Sequence, residues 1–373
     1  MFLEKLYTEN FRNILTHEIQ FSKGINLILG GNGQGKTNLL EAIYFLSNLK
    51  SFRNAKRRDL TTWEKSRFGV RGSVVDERTG EKSILEAVYD NRKSQYRTDN
   101  QRVEFVEDYL SRLLVMAFHP DSLAALKGRP ALRRMLIDRG VFSENRNHLS
   151  VLKGYNRVLA ERRWILKNRR RDLIDVWNEK LINLGAKLTV SRESYCRRLN
   201  DEIGKVELPP QETVHAEIRY RPSVADSPEG GVLGEEGLRG VFADRLKKLI
   251  EEEERRGVSM VGPHRDEFLV YSGGRDLSIY GSQGQQKGAL LCIMLGQSSL
   301  AALGKYGDPL LIFDDVMSEL DGSRTEWIRG VLATMGNQVF ISALERISLR
   351  NRLGAGKKFV VHQGNIEPVE AAA

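Results

Sequence analysis

Residues 25–37 read Ile25-Asn26-Leu27-Ile28-Leu29-Gly30-Gly31-Asn32-Gly33-Gln34-Gly35-Lys36-Thr37, and the fold turns on this stretch. Its first five residues form an almost wholly apolar run, the pattern of a strand buried on both faces. The run stops at an octet that fits GxxxxGK[ST]. Beyond it Leu39, Leu40, Ile43, Tyr44 and Leu46 fall on one helical face. In a strand, glycine loop and helix of this kind, the glycines let successive N–H groups turn inward around an anion where a side chain would block approach. The helix N-terminus adds free donors and a favourable dipole. Gly30, Gly31, Asn32, Gly33, Gln34 and Gly35 are therefore the expected cradle for a nucleotide's phosphates. Lys36 is the expected contact to the β- and γ-phosphates, and the Thr37 hydroxyl the expected Mg²⁺ ligand. At average composition a chance match in a chain this long is on the order of one in a hundred. The strand before and helix after make a mere flexible turn a poorer reading still.

A second apolar run, Leu310-Leu311-Ile312-Phe313, ends in Asp314-Asp315. Such a core strand delivers carboxylates to the sheet edge where ligands bind. Asp314 is expected to hold Mg²⁺ through water, and Asp315 to orient or deprotonate an attacking water. Upstream lies Ser282-Gln283-Gly284-Gln285-Gln286, a hydroxyl and a glycine at a helix start. This also suits an anion, although a serine N-cap beside a glycine would look the same. The string resembles the signature loop of ABC ATPases, and Ser318-Glu319-Leu320-Asp321 stands where those proteins carry their D-loop. The resemblance implies ATP and Mg²⁺ as cofactors. It also implies a head-to-tail homodimer in which Ser282, Gly284 and Gln285 face the nucleotide of the other protomer.

Outward from these motifs, residues 2–8 and 17–21 alternate as a hairpin. Residues 68–75, 83–89 and 113–118 read as strands. Leu166, Leu173, Trp177, Leu181, Leu184 and Leu188 form a helical stripe within a region, 131–204, that reads as packed helices. Pro209-Pro210 ends it. A strand over 214–220, an exposed loop over 222–237, and helices over 238–256 and 285–303 follow. The expected architecture is α/β. A mixed-sheet ATPase head would be built from residues 1–130 and 258–373, with a mainly helical lobe, 131–257, inserted between them.

The chain has 373 residues, a net charge of +9 and 40% hydrophobic residues. Cys196 and Cys292 form no CxxC pair and read as buried hydrophobes. No apolar span long enough for a bilayer and no secretory leader is visible, which leads to a cytoplasmic expectation without a membrane partner. The positive balance suits a polyanion. Cations cluster at Lys50, Arg53, Lys56, Arg57 and Arg58, at Arg92, Lys93, Arg97 and Arg102, and at Lys167 with Arg169–Arg171. Each reads equally well as a phosphate contact or a solvated face. Glu251–Glu254 reads as a polar helix face, and His264-Arg265 as structural support.

The long span from Thr37 to Ser282 is unlike ABC transport subunits and closer to the SMC branch, whose inserted arm is far longer. Several strings together resemble the RecF family. They are Leu6–Asn13, Gly33–Ile43, Lys50-Ser51-Phe52-Arg53, Phe118-His119-Pro120-Asp121 with Arg133-Arg134, Gly262-Pro263-His264-Arg265-Asp266, and Ser282–Gln286. The resemblance runs from residue 1 to about 364. It implies Arg12 near the nucleotide, slow ATP hydrolysis used as a switch, and binding to single- and double-stranded DNA. It further implies action with RecO- and RecR-like proteins to place a RecA-like recombinase at gaps, supporting post-replication repair and the SOS response. An ABC transport subunit and an SMC-like clamp are the alternatives. Lys287, Glu267 and Ser342 depart from the family pattern, and no Gln stands near His119–Asp121 as a Q-loop.

Overall fold

The computed structural model describes residues 1–128, 130–207, 214–224, 233–304, 307–315, 326–327, 330–331, 336–344 and 356–369. Strands β1 (Phe2–Phe11), β2 (Ile14–Gln20) and β3 (Ile25–Leu29) lead to helix α1 (Lys36–Asn48). Strands β4 (Arg67–Val75), β5 (Lys82–Asp90), β6 (Lys93–Thr98) and β7 (Gln101–Arg102), helix α2 (Val106–Leu110) and strand β8 (Val115–Phe118) follow. Then come helices α3 (Ala124–Lys127), α4 (Pro130–Glu144), α5 (Asn147–Lys167) and α6 (Ile174–Ile203), strand β9 (Glu217–Arg221) and helix α7 (Glu235–Arg256). Strands β10 (Glu267–Ser272) and β11 (Arg275–Asp276) precede helices α8 (Leu277–Tyr280) and α9 (Gln283–Leu303). Strands β12 (Leu310–Phe313), β13 (Val339–Ala343), β14 (Lys357–His362) and β15 (Asn365–Pro368) close the described chain. Ser318–Asp321, the expected D-loop, lies outside the described residues, as do residues 225–232 of the expected 222–237 loop.

Two compact units result, one from Met1–Ser122 with Glu207–Glu212 and Ala301–Ala373, the other from Leu123–Val206 with Thr213–Leu300. Their limits differ from the expected 130/131 and 257/258. Segments near the expected limits are tied down within the second unit. Arg133 donates to Leu126 O and Gly128 O, fastening α3 to α4. β10 pairs with β9, and a Cβ on Gly296 of α9 would lie 3.1 Å from Leu199 of α6, so α9 packs within the helical unit.

The first unit holds two sheets. One is antiparallel, in the order β2-β1-β4-β5-β6-β7. The other runs β15-β14-β3-β13-β12-β8, parallel except for the β14–β15 hairpin. Leu310–Phe313 and Phe340 are fully buried, as the unbroken apolar runs require. Asn26, the single polar residue in β3, is satisfied through Ser22 and Gly24. Phe68 meets Phe11 and Phe45 edge to face between the antiparallel sheet and α1, and Phe11 lies tilted against Phe45.

In the second unit the helical stripe crosses a break. Leu166 ends α5, Leu173 sits in a 3-10 turn, and the remaining members lie on α6. Arg162 meets Asn178, and His148 meets Ser191, so α5 and α6 run antiparallel. β9 starts at Glu217; Val214 and Ala216 are buried but precede it. Glu251–Glu254 is not a uniform polar face, because Glu253 is fully buried against Arg162.

The Gly262–Asp266 string forms a buried knot. A Cβ on Gly262, at φ +128°, would lie 2.3 Å from Tyr155 Oη. Asp266 accepts from Arg192, Tyr220 and the Ser223 N–H. His264 Nδ1 pairs with Tyr155 Oη and its Nε2 with Ser259 O. Burial holds the His264 pKa down to about 4, aided by Arg265, Arg134 and Arg162. The unfolded chain, with an ordinary histidine near 6.5, binds more protons between these values. Stability therefore falls as pH drops through that window, by up to about 3 kcal/mol. Between pH 7 and pH 5 the urea midpoint of the second unit should fall in the wild type and much less in His264→Gln. Equal falls would assign the acid sensitivity to other groups.

Candidate functional site

β3 and α1 hold the loop Gly30–Thr37 at the carboxyl end of the parallel strands, beside the ends of β12 and β13. Gly30 sits at φ +152°, and a Cβ there would come within 2.4 Å of Val361 O. Gly35, the N-cap of α1 at φ +116°, would drive a Cβ to 2.9 Å from Asn13 Oδ1. Glycine is required at both positions by a positive φ, and by the close approach of the Val361 backbone at Gly30 and of the Asn13 side chain at Gly35. Lys36 Nζ donates to Gly30 O and Gly31 O, each at 2.8 Å. Burial lowers its pKa, against the opposing pull of Asp315 and Asp314.

The acidic strand end meets this loop. Thr37 Oγ1 donates to Asp314 Oδ1 at 3.1 Å, and Ser342 Oγ donates to the same oxygen at 2.8 Å. The Asp315 N–H donates in turn to Ser342 Oγ at 2.7 Å. Ser342 thus joins the two carboxylate-bearing residues. Burial raises the Asp314 pKa, while the hydrogen bonds from Ser342 and Thr37 restrain the rise. Asp315 adopts φ +52°, an uncommon left-handed conformation for a non-glycine residue. A cavity of about 490 Å³ opens over this group. Gly31–Asn38, Asp314, Asp315 and Ser342 form one part of its wall, and Phe52, Arg53 and His119–Asp121 the other. Its size suits a small ligand. The Thr37 hydroxyl and Asp314 carboxylate offer Mg²⁺ hard oxygens, in the sparse set that this ion completes with phosphate and water.

Arg12, expected near the nucleotide, is held from behind α1. Its guanidinium forks onto Glu41 at 2.8 and 3.0 Å and donates to Asp59 O. It is not among the residues lining the cavity. Ser282, Gly284 and Gln285 belong to the second unit and begin α9. Ser282 Oγ accepts from the Gln285 N–H, and Gln285 Oε1 accepts from the Ser282 N–H. This reciprocal cap satisfies two helix-end donors and leaves the exposed Ser282 O–H free to donate.

Several participants carry no motif of their own. Asn13 Nδ2 donates to Gln34 O and its Oδ1 accepts from Asn38, bracing the phosphate loop from the β1–β2 turn. The turn after β14 adds bonds from the Gln363 and Gly364 N–H groups to Gln34. Phe52 lies against His119, ring centroids 4.8 Å apart. Only their inclusion in the quoted strings hinted at a place in the wall. Of the cluster at Lys167 and Arg169–Arg171, Arg170 is paired with Asp172 and Arg171 with Glu254.

The profile of the family described as "RecF/RecN/SMC N terminal domain" matches residues 2–364. The chain is 35% identical to the DNA replication and repair protein RecF of Geotalea daltonii, over 92% of this chain and 93% of that protein. It is 34% identical to the protein of the same name from Carboxydothermus hydrogenoformans, over 94% and 96%. Among solved structures it resembles one described as the recombination mediator protein RecF-ATP in the RecFOR pathway. The TM-score is 0.90 at 30% identity, covering 99% of this chain and 98% of that one. An Smc head bound to the C-terminal winged-helix domain of ScpA shares the fold, with a TM-score of 0.55 at 17% identity.

Proposed function

The chain belongs to the RecF family, within the RecF/RecN/SMC class of ABC ATPases, and from that premise we propose that it is an ATP-switched DNA-binding protein of replication-coupled and recombinational repair. The observation that carries the reading is the phosphate loop joined to the acidic strand end through Thr37, Asp314 and Ser342. Lys36 would leave the Gly30 and Gly31 carbonyls for the β- and γ-phosphates, so its present bonds hold it in position for that move. Thr37 and Asp314 would hold Mg²⁺, which supplies charge neutralisation at the phosphates. Asp315 would direct a water at the γ-phosphate. The Ser282 loop would close the site of another protomer, giving an ATP-dependent homodimer.

In this reading the dimer binds single- and double-stranded DNA and acts with RecR- and RecO-like proteins in the cytoplasm. It helps place a RecA-like recombinase at gaps and so supports the SOS response. Arg12 would support the site through α1, which it grips at Glu41. Among the described residues no helix is long and apolar enough to cross a membrane, and the α5–α6 pair is far shorter than an SMC arm.

Light scattering of the purified chain tests the switch. A non-hydrolysable ATP analogue with Mg²⁺ should convert monomer to dimer at micromolar concentration. A persistent monomer would remove the ATP-gated reading.

A further inference from the structure

Two basic clusters that the sequence keeps far apart meet at one end of the antiparallel sheet. Arg67, the first residue of β4, pairs with Asp90, the last of β5, and Asp90 pairs with Lys93 at the start of β6. The Asn91 N–H donates to Ser66 O, and Arg57 Nη1 donates to Ser94 Oγ at 3.0 Å. The 50–67 segment is thereby fastened to the β5–β6 hairpin at Arg57 and Ser66. That segment carries seven cations and two acids, Asp59 and Glu64. All seven cations are exposed, and the hairpin adds Arg92 and Lys93. Asp59 is partly occupied by Arg58. Arg92 holds φ +69° in a two-residue hairpin turn, at a position where glycine is usual.

The same segment carries Trp63, in the Thr62–Lys65 turn directly before β4 and followed by Glu64 and Lys65. At 88% exposure it is the most exposed of the large apolar side chains among the described residues. A solvated cationic face gains nothing from a bare indole, and a protein-docking patch would be expected to cluster apolar groups rather than surround one with cations. An aromatic platform flanked by cations is the combination that binds unpaired nucleic acid, with the base on the ring and its phosphates on the charges.

We propose that Trp63 and the surrounding cations at this sheet end, chiefly Lys56, Arg57, Arg92 and Lys93, form a site for single-stranded DNA in which an unpaired base stacks on Trp63. The proposal rests on the DNA-binding reading above and specifies where the strand lies and which DNA structure is preferred. Blunt duplex, whose bases are stacked within, can use the charges but not the indole, so the site favours DNA with an unpaired stretch. Arg53 links the two sites in the chain. It belongs to the same basic segment, lines the phosphate cavity, and its charge reaches Asp314.

Fluorescence anisotropy with labelled oligo-thymidine, a blunt duplex and a duplex with a single-stranded overhang tests this, using the full chain with the ATP analogue. Trp63→Ala should weaken oligo-thymidine and overhang binding by about 5- to 100-fold, the worth of one base–aromatic stack, and leave the blunt duplex unchanged. Trp63→Phe should restore most of the loss. Alanine at Arg57 and Lys93 should instead lower the salt slope for the single strand by about 0.7 for each phosphate no longer neutralised. ATP-driven dimerisation should be the same in every variant. If the wild type binds all three DNAs and Trp63→Ala binds them equally well, the stacking site is wrong and the exposed indole belongs to a protein contact. If the wild type binds none of them, the DNA-binding reading fails first.

Discussion

Glu253→Ala is expected to remove about 3–5 kcal/mol from the unfolding free energy of the second unit. Glu253 and Arg162 are both fully buried, with Oε2 and Nη2 2.5 Å apart. Arg162 spends its other donors on Ser259 Oγ at 2.7 Å and Asn178 Oδ1 at 2.8 Å, and Glu253 Oε1 accepts from the Met260 N–H at 2.6 Å. Four segments of chain are thus tied to one ion pair. Deleting the acid strands a guanidinium where water cannot reach it, and the desolvation cost is no longer offset. The loss should appear as a lower urea midpoint by ellipticity, with Trp164 and Trp177 fluorescence following the same transition. Replacing both partners together, Arg162→Met with Glu253→Leu, should recover most of it, since an apolar pair of similar volume leaves no charge behind. An unchanged midpoint in the single variant would mean that Arg162 finds another partner or water, and that the pair does not hold the unit together.

That pair also shows where reading the sequence stops. Glu253 lies in a run of four glutamates, and composition alone assigns all four to solvent. Only the helix phase and a partner on another helix single one out. Glu41 is a similar case: an acid on α1 among buried residues, satisfied by Arg12 and Ser51. The signals that were legible are local. A strand buried on both faces must be apolar throughout, so Ile25–Leu29 and Leu310–Phe313 announced themselves. The glycine loop did so because few sequences tolerate its backbone. The hairpin of β1 and β2, the α5–α6 pair and the start of α9 followed from periodicity and caps. Pairings between distant segments left no such trace. Ser342 bridging Asp314 and Asp315, Asn13 under the phosphate loop, and the union of residues 50–67 with the β5–β6 hairpin each depend on sheet order and register, which no single segment encodes. The unit limits moved for the same reason, because α3 and α9 are assigned by what they pack against.

Mixing two inactive variants should restore ATPase activity. Lys36→Ala removes the ammonium that reaches the phosphates, at an expected cost of about a hundredfold or more in turnover. Ser282→Arg places bulk where the exposed hydroxyl would meet a γ-phosphate, with a comparable expected loss. In a two-fold dimer the two composite sites are equivalent, so each pure variant has both sites damaged. A mixed dimer differs. The Ser282→Arg chain still carries a whole phosphate loop and acidic strand end, and the Lys36→Ala chain still carries a whole Ser282 loop. These meet at one interface, while the other site is broken twice. Random pairing at equal amounts makes half the dimers mixed, each with one sound site, so phosphate release should peak near roughly a quarter of the wild-type rate if one site can fire alone. Because Ser282 also caps α9, its loss could weaken the helix by about 1 kcal/mol. Ser282→Asp separates the two effects: the carboxylate still accepts from the Gln285 N–H, yet it repels a γ-phosphate. It should melt like the wild type and remain inactive alone. Full activity in Ser282→Arg by itself, with no gain on mixing, would show that one chain builds the whole site and would remove the composite dimer.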